Sequence, residues 1–313
     1  MKRFITALSL FSLFIIALLA FGVSNITTRW QGDYLFALID KFEHLKKEES
    51  PKIVLIGGSN LAFGIDSEVL SQHYDMPIVN MGLHAGMGLR FLLKGVKADV
   101  HKNDILIIIP EYSHFYTMYL GTSSTLTPML FNVYPKGFSY LSFRQFLTIM
   151  SGIPRYSMDN LYDAYIVGHA FKEHDHRIYA RANFNQYGDM TAHRTEPSYI
   201  SYTVTEENPR PIDRKMLKEL EEDILFFQSQ GVKVVILPSA IVHTAAQNMN
   251  MEIQQVVKEL HNINNEAFQY FYPENYTLPD SLGYDTRYHL LQPGIDIRMQ
   301  YLIRDLDAFL ESQ

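Results

Sequence analysis

The stretch Ile53-Val-Leu-Ile-Gly-Gly-Ser-Asn-Leu-Ala-Phe-Gly64 decides the fold, because an apolar run leads directly into a glycine turn. Four consecutive apolar residues at 53–56 are typical of a strand that is buried on both faces. Gly57 and Gly58 permit a tight turn that no side chain obstructs. The turn presents Ser59 at the end of the strand, where a serine can serve as a nucleophile. Gly-Gly-Ser-Asn is also a common turn in its own right, so the interpretation of Ser59 depends on the rest of the chain.

Strand and helix patterns alternate before and after the middle of the chain. Apolar runs predict five strands, at 52–56, 77–81, 104–110, 232–238 and 267–272. Apolar residues at helical spacing predict helices at 65–74, 87–100, 217–231 and 295–311. These elements imply an α/β fold in which a parallel sheet is covered on both faces. Ligands of such sheets bind beyond the carboxyl ends of the strands, which is where Ser59, Glu111 and Ser239 fall.

Residues 113–211 lack this alternation and are rich in Tyr and Phe, with Thr, Ser, Asn and Gly, so we interpret them as an insertion over the active face of the sheet. The most distinctive segment is Phe184-Asn-Gln-Tyr-Gly-Asp189, followed by His193. Exposed tyrosine and asparagine side chains near a cleft would suit a carbohydrate, because sugar faces stack on aromatic rings and sugar hydroxyls bond to amides. Asn185 and Tyr187 are therefore candidate substrate contacts. The alternative is that the aromatic residues form the insertion's own core.

The first 29 residues form a separate segment. Lys2 and Arg3 precede an uncharged, mostly apolar run from Phe4 to Val23, which is long enough to cross a bilayer as a helix. The basic residues predict a cytoplasmic start, a single span of the bacterial inner membrane and an extracytoplasmic domain. The alternative is a cleaved signal peptide and a secreted or periplasmic protein. We favour the anchor because the apolar run exceeds the usual signal-peptide core.

The remaining sequence describes one globular domain at 51–313, preceded by a spacer at 30–50. The spacer contains Trp30 and mixed charges, which are typical of a solvated helix. Hydrophobic residues make up 47% of the 313 residues and charged residues 19%, as in globular proteins. The net charge of −7 argues against a general nucleic-acid binder. No cysteine is present, so the chain forms no disulfide.

Two weaker patterns do not predict a cofactor or a metal. The segment from Gly82 to Gly88 lacks the Gly-x-Gly-x-x-Gly register of a dinucleotide site. The cluster His174-Asp175-His176 stands in a run of charged residues, which is typical of a solvated face, and a metal site requires a further, distant ligand. We therefore expect neither a cofactor nor a metal.

Three segments together resemble the SGNH/GDSL hydrolase superfamily: Gly57-Gly-Ser-Asn-Leu61, Val79-Asn-Met-Gly-Leu-His-Ala-Gly-Met-Gly88 and Asp285-Thr-Arg-Tyr-His289. In that superfamily the blocks occur in this order on a flavodoxin-like, three-layer α/β/α sandwich. The resemblance covers about 52–112 and 212–311. It is closest to membrane-anchored SGNH-like proteins that work beside membrane-bound O-acyltransferases in bacterial polysaccharide acylation.

The resemblance implies a role for each motif residue. Ser59 would be the nucleophile, His289 its general base, and Asp285 the acid that holds the imidazole in the useful tautomer. The backbone N–H groups of Ser59 and Gly86 would stabilise the oxyanion, with Gly82 as the alternative to Gly86.

The chain departs from the superfamily in two places. The third block normally supplies an Asn side chain to the oxyanion, whereas here the strand ends in Ile109-Pro-Glu-Tyr112. Asn60 could substitute for that donor. Glu111 and Tyr112 become candidate substrate contacts, since an ionised carboxylate cannot donate a hydrogen bond. The acid also lies four residues before the histidine instead of three, so Asp280 is an alternative acid.

The sequence therefore predicts a serine esterase or O-acyltransferase that acts through an acyl-serine intermediate on a cell-envelope or exported polysaccharide. Hydrolysis and transfer use the same residues and both stay open. The alternative is a catalytically degenerate relative that binds a glycan or docks on an acyltransferase. The missing Asn favours this alternative, whereas Ser59, Asp285 and His289 oppose it.

Overall fold

The computed structural model of this chain describes residues 1–24, 31–166, 178–204 and 211–313. Trp30 and the cluster His174-Asp175-His176 lie outside these ranges, so the structure does not test the predictions made for them.

A parallel sheet lies at the centre of the domain, with the strand order β2-β1-β3-β4. Its strands are β1 (Ile53–Gly57), β2 (Ile78–Asn80), β3 (Ile105–Ile109) and β4 (Lys233–Ile236). Ile53 of β1 pairs with Ile78 on one side and with Ile105 on the other. All residues of β1 and β3 are buried, as expected for central strands with helices on both faces. The prediction of an α/β fold with a parallel sheet is confirmed. A short parallel pair, β5 (Ile241–Val242) and β6 (Thr277–Leu278), follows.

All four predicted helices are present: those predicted at 65–74 and 87–100 are shorter, and those predicted at 217–231 and 295–311 begin three residues earlier. In chain order they are α1 (Lys2–Ser24), α2 (Ala37–Lys47), α3 (Ser59–Ala62), α4 (Ser67–Tyr74), α5 (Leu89–Val96), α6 (Ser123–Pro128), α7 (Phe143–Tyr165), α8 (Arg214–Ser229), α9 (His243–Asn248), α10 (Asn250–His261) and α11 (Gln292–Glu311). Asp66 caps α4 by accepting from the Val69 N–H.

Alternate residues of the strands enter two hydrophobic clusters, because successive side chains of a strand point to opposite faces. Val54 and Ile56 belong to the cluster that includes buried residues of α2, α5 and α8. Ile53 and Leu55 belong to the cluster that includes buried residues of α4 and α11. Helices therefore cover both faces of the sheet.

The predicted fifth strand at 267–272 is wrong. The chain forms a 3-10 turn at Glu266–Phe268 and continues as a loop, with Phe268 and Phe271 buried. A short buried apolar run does not by itself distinguish a strand from another core segment.

The spacer predicted at 30–50 is helical at α2, but the prediction that it is solvated is wrong. Leu38, Phe42 and Leu45 are buried in the core. Lys41 is also buried, and its ammonium group donates to the Asn80 carbonyl at 2.8 Å. The segment thus belongs to the domain, because one face of α2 is buried in the core together with the hydrogen-bonded Lys41.

The described part of the insertion at 113–211 contains α6, α7, 3-10 turns and loops. Many of its apolar residues join the main core: Phe115, Tyr119, Leu126, Met129, Leu130, Val133, Tyr134 and Ile149. Phe115, Tyr119 and Tyr134 thus serve as core, whereas other aromatic residues of the insertion, such as Phe143 and Tyr199, are exposed.

Candidate active site

Ser59 lies where the sequence predicts, directly beyond the carboxyl end of β1 and at the first position of α3. Gly57 of β1 pairs with Ile109 of β3, so the ends of the two strands lie side by side. This pairing brings Glu111 against the serine turn. The Ser59 hydroxyl donates to Glu111 Oε1 at 3.2 Å, and the Asn60 N–H donates to the same oxygen at 3.2 Å.

Gly58 is required by the close approach of Glu111. A Cβ atom at this position would lie 2.3 Å from Glu111 Oε1. Glu111 itself is 5% exposed and is held by a reciprocal capping interaction with His114, whose Nδ1 accepts from the Glu111 N–H at 3.0 Å. The carboxylate is thus a fixed part of the wall beside the serine.

Asp285 and His289 form a close pair despite their separation of four residues. His289 Nδ1 lies 2.7 Å from Asp285 Oδ1. The chain reverses between them, because the Tyr284 N–H donates to the His289 carbonyl at 2.8 Å and Gly283 bridges to Leu290. The reversal places the two side chains together. Asp280, the alternative acid, instead accepts from the N–H and hydroxyl of Thr244.

The His289 ring is enclosed by aromatic groups. Phe63 stacks on it with a centroid separation of 4.1 Å and an interplanar angle of 12°. Tyr179 donates from its hydroxyl to Asp285 Oδ2 at 2.5 Å. Burial alone would raise the pKa of Asp285, but the hydrogen bonds from His289 and Tyr179 and the neighbouring imidazole charge lower it below its ordinary value. Asp285 is therefore held as a carboxylate.

Ser59, Glu111 and His289 line one cavity of about 560 Å³. His289 Nε2 is buried and has no hydrogen-bond partner among the described residues. Since the Ser59 hydroxyl is bonded to Glu111, the serine and the imidazole share the cavity without a hydrogen bond between them.

The predicted oxyanion donors occupy different positions. Ser59 is the first residue of α3, so its N–H has no partner within that helix. The Gly86 N–H lies at the cavity but donates to His84 Nδ1 at 2.9 Å. The Gly82 N–H donates to the Asn80 side chain at 2.9 Å and does not line the cavity.

The prediction that the Asn60 side chain supplies an oxyanion donor is wrong for this arrangement. Its amide nitrogen donates to the Ile109 carbonyl at 3.2 Å and to the Ser239 hydroxyl at 2.8 Å. Asn60 is fully buried and does not line the cavity. The amide therefore fixes the serine turn to the ends of β3 and β4.

Of the predicted substrate contacts, Glu111 lines the cavity and Tyr112, which is fully buried in the core, does not. Asn185 and Tyr187 also lie away from it. Asn185 Oδ1 accepts from the backbone N–H groups of Tyr187 and Asp189, so it forms a turn.

The turn at 185–189 connects the insertion to the sheet through hydrogen bonds. Asp189 is fully buried and accepts from the N–H and hydroxyl of Ser67 at 2.8 and 2.6 Å. It also accepts from the Asn80 side chain at 2.8 Å. The Phe184–Asp189 segment is therefore a structural connection between the insertion, α4 and the end of β2.

Sequence reasoning missed several residues that line the cavity. Tyr179 comes from the insertion, and no motif marks it. Burial lowers the pKa of His84 below its ordinary value, although the charge of Glu111 opposes the shift. His84 lies inside the motif Val79–Gly88, and this position could have identified it as a residue of the site.

The cavity lining also includes two charged residues, Glu252 and Arg287, and the part that they line is called the Glu252 side of the cavity. Glu252 is 5% exposed, and its Oε2 has no hydrogen-bond partner among the described residues. Arg287 donates to the sulfur of Met249, a weak acceptor. The structure records no ion pair between Glu252 and Arg287, which leaves both groups available to a ligand.

Among the described residues, no group of three His, Asp or Glu side chains is placed to hold a metal ion. No family model, no curated protein and no solved structure matches this chain.

Proposed function

We propose that this protein is a serine ester hydrolase or O-acyltransferase of the SGNH type that acts on the O-acyl groups of a cell-envelope or exported polysaccharide. One observation carries the proposal. Ser59, at the end of the central strand, shares a cavity with His289, whose Nδ1 is held by Asp285 at 2.7 Å and whose Nε2 has no partner. A serine, an imidazole oriented by a carboxylate, and a vacant ring nitrogen are the groups that acyl transfer requires.

The first chemical step follows from these positions. The Ser59 hydroxyl turns from Glu111 toward His289 Nε2 and gives it the proton, while Oγ forms a bond to the acyl carbon. The alkoxide leaving group then takes the proton from Nε2 as its bond to the acyl carbon breaks. Water or a sugar hydroxyl attacks the acyl-serine in the second step, again losing its proton to His289.

The strand order supports the finer fold assignment. The order β2-β1-β3-β4 agrees with the first four positions of the flavodoxin-like order 2-1-3-4-5. Ser59 and Glu111 lie beyond the carboxyl ends of adjacent strands, where ligands of such sheets bind.

The Glu252 side of the cavity supports the proposal of a polyhydroxylated substrate. The buried Glu252 oxygen needs a donor, since an unsatisfied buried polar atom is costly, and sugar hydroxyls are donors. Arg287 and Thr117 supply further polar groups among the residues that line the cavity. The Glu252 side of the cavity would bind the glycan while Ser59 reacts with its acyl group.

The location of the protein is part of the same proposal. Helix α1 is 23 residues long, and its most apolar stretch of 18 residues has a mean hydropathy of 2.6 and contains no buried residue. The helix is therefore long and apolar enough to be a membrane span or a signal sequence. The contacts of its last turn with α7 support a retained anchor: Asn160 donates to the Gly22 carbonyl at 3.1 Å. The domain would then act outside the inner membrane, beside a membrane-bound O-acyltransferase.

A second candidate function is that of a non-catalytic glycan-binding or acyltransferase-docking protein. The position of Glu111 favours it, because a carboxylate bonded to both the Ser59 hydroxyl and the Asn60 N–H would repel an oxyanion at this place.

Activity of the full chain in detergent separates the two candidates. The protein is incubated with a chromogenic acetyl ester and with a serine-directed fluorophosphonate probe. We expect turnover and labelling in the wild type, and losses of about 10³-fold or more in Ser59→Ala and His289→Ala. Ser113→Ala, which changes another serine of the same cavity, is the matched control and should retain both.

Two results would contradict the catalytic proposal. Turnover that persists undiminished in Ser59→Ala would remove the serine from the mechanism. A folded wild type that neither labels nor turns over would favour the binding function.

A further inference from the structure

Helix α7 carries an apolar stripe on its outer side. Phe143, Leu147, Met158, Tyr162, Tyr165 and Ile166, which follows the last residue of α7, define this stripe, and their side chains are between 51% and 75% exposed. Phe143 and Leu147 form one pair at four-residue spacing, and Met158, Tyr162, Tyr165 and Ile166 form a second group at three- and four-residue spacing on the same side of the helix. The exposed residues Ser151, Pro154 and Arg155 lie between the two groups. The inner side of α7, with Gln145 and Ile149, is buried against the domain. Apolar patches of this extent are rare on soluble monomers and mark a contact with something else.

The stripe borders the end of α1. Gly22 sits directly on α7, and a Cβ atom there would lie 2.0 Å from Ser157 Oγ. Asn160 donates to the Gly22 carbonyl, and Phe21 stacks on Tyr165 of the stripe with a centroid separation of 6.2 Å. The last turn of α1 therefore meets the stripe at Tyr165.

We propose that the α7 stripe lies in the interface of the lipid bilayer that α1 spans. The proposal rests on the assignment of α1 as a retained membrane span, and not on the activity of Ser59. Continuity identifies the occupant, because the hydrocarbon that surrounds α1 extends to the surface that meets its last turn. Tyrosines at the α1 end of the stripe agree with the preference of aromatic side chains for the headgroup region. A helix of this kind sinks its apolar side about 5–10 Å into that region.

Two arginines on the same side of α7 suit the arrangement. Arg144 and Arg155 have side-chain exposures of 45% and 86% and pair with Glu219 and Asp159. Arginines in these positions can reach lipid phosphates while the apolar residues lie among the acyl chains. Bilayer contact would also fix the cavity above the membrane, since Gln145 donates to the Leu120 carbonyl at 3.1 Å and the neighbouring Met118 lines the cavity.

The absence of cysteine allows a direct test with single-cysteine variants of the full chain. Leu147→Cys and Met158→Cys place an environment-sensitive fluorophore on the stripe. Leu13→Cys places it on α1, and Glu68→Cys, exposed on α4 across the sheet, is the control. Each labelled protein is reconstituted into vesicles of phosphatidylglycerol and phosphatidylethanolamine, with and without nitroxide lipids, and circular dichroism verifies folding.

We expect the nitroxide lipids to quench the labels at positions 147 and 158 about twofold or more, as for lipid-immersed side chains, and to leave the label at position 68 unchanged. The label at position 13 should be quenched as well. Quenching at position 13 without quenching at 147 and 158 would overturn the proposal, and so would the absence of quenching at position 13. Shielding of the stripe only after a membrane protein is added would assign it to a protein partner instead.

Discussion

The two turns that meet at the cavity differ in their readiness for acyl transfer. The turn from Asp285 to His289 holds its imidazole between a carboxylate and a stacked ring, with Nε2 vacant. The turn at Ser59 holds its hydroxyl against the carboxylate of Glu111. The acid–histidine half is thus already arranged for proton transfer, whereas the nucleophile half rests in an arrangement that has to change. The comparison shows that the two halves of such a site are built by separate parts of the chain and need not be ready together.

Asp285→Asn tests the prepared half and should have the largest effect. The amide can no longer hold the imidazole in the tautomer that leaves Nε2 free to accept a proton. We expect kcat for a chromogenic acetyl ester to fall about 10³- to 10⁴-fold. Asp280→Asn is the control, because Asp280 bonds to Thr244. Equal losses in both variants would mean that Asp285 acts only on folding.

Glu111→Gln tests the unprepared half and should raise activity. The amide oxygen can still accept from Ser59 and Asn60, while the negative charge beside the developing oxyanion is gone and an N–H₂ donor is present. One oxyanion donor is worth about 10²-fold or more, so we expect at least about a tenfold rise in kcat/KM. Glu111→Asp keeps the charge and should show no rise. A loss of activity in Glu111→Gln would instead identify Glu111 as a proton acceptor for Ser59.

Glu252→Gln tests whether the Glu252 side of the cavity binds the glycan. A hydrogen bond to a buried charged acceptor contributes about 1.5–3 kcal/mol, so KM for an acetylated oligosaccharide should rise about tenfold or more. A small chromogenic ester that does not reach Glu252 should be hydrolysed as before. The same change in KM for both esters would show that Glu252 supports the structure and does not bind the glycan.

Tyr179→Phe tests the support of Asp285 and should have a smaller effect. The variant removes one hydrogen bond to the carboxylate but keeps the ring contacts with Phe63 and Tyr34. We expect kcat to fall about tenfold, in line with the loss of a hydrogen bond to a charged group. The pKa of Asp285 should rise, because one group that lowers it is lost. An unchanged kcat would show that His289 alone fixes the carboxylate.

The pH dependence of the free energy of unfolding tests His193, and we expect this effect to be the smallest. Burial lowers the pKa of His193 to about 4, and its Nε2 approaches the carbonyls of Phe63 and Leu290. Between pH 6.5 and 4 the unfolded chain binds the proton and the folded chain does not, so the contribution of His193 is complete above pH 6.5 and declines as the pH falls. The slope should be at most about 1.4 kcal/mol per pH unit. The free energy of unfolding of His193→Gln, measured by thermal unfolding, should decrease less between pH 6.5 and 4 than that of the wild type. Identical slopes would contradict the assignment.

The sequence was most informative where a residue's neighbours along the chain determine its structure. The apolar runs around Leu55, Val79, Ile107 and Val235 predicted the four strands, because a doubly buried strand needs such a run. Ser59 was placed correctly for the same reason. The aromatic run at 267–272 satisfied the same pattern yet formed a 3-10 turn, since apolar content alone does not fix a ladder partner.

Side-chain roles that depend on distant partners could not be predicted. Asn60 was expected to supply an oxyanion donor, but Ser239, which follows β4 and lies 179 positions away in sequence, accepts a hydrogen bond from its amide. Tyr179 and Asp285 are separated by 106 positions, and nothing in either local sequence announces their hydrogen bond. Asn185 and Tyr187 have the composition of a sugar site, whereas the backbone donors around Asn185 make it a turn former.

The buried carboxylate of Asp189 has a consequence for the order in which the protein matures. Its partners Ser67 and Asn80 precede it by 122 and 109 residues, so the insertion cannot seat until both have emerged and folded. Tyr179, ten residues before Asp189, reaches Asp285 from the segment that these hydrogen bonds position. A folding intermediate without the Asp189 contacts would therefore lack the Tyr179 support of Asp285, even though Asp285 and His289 come from one turn.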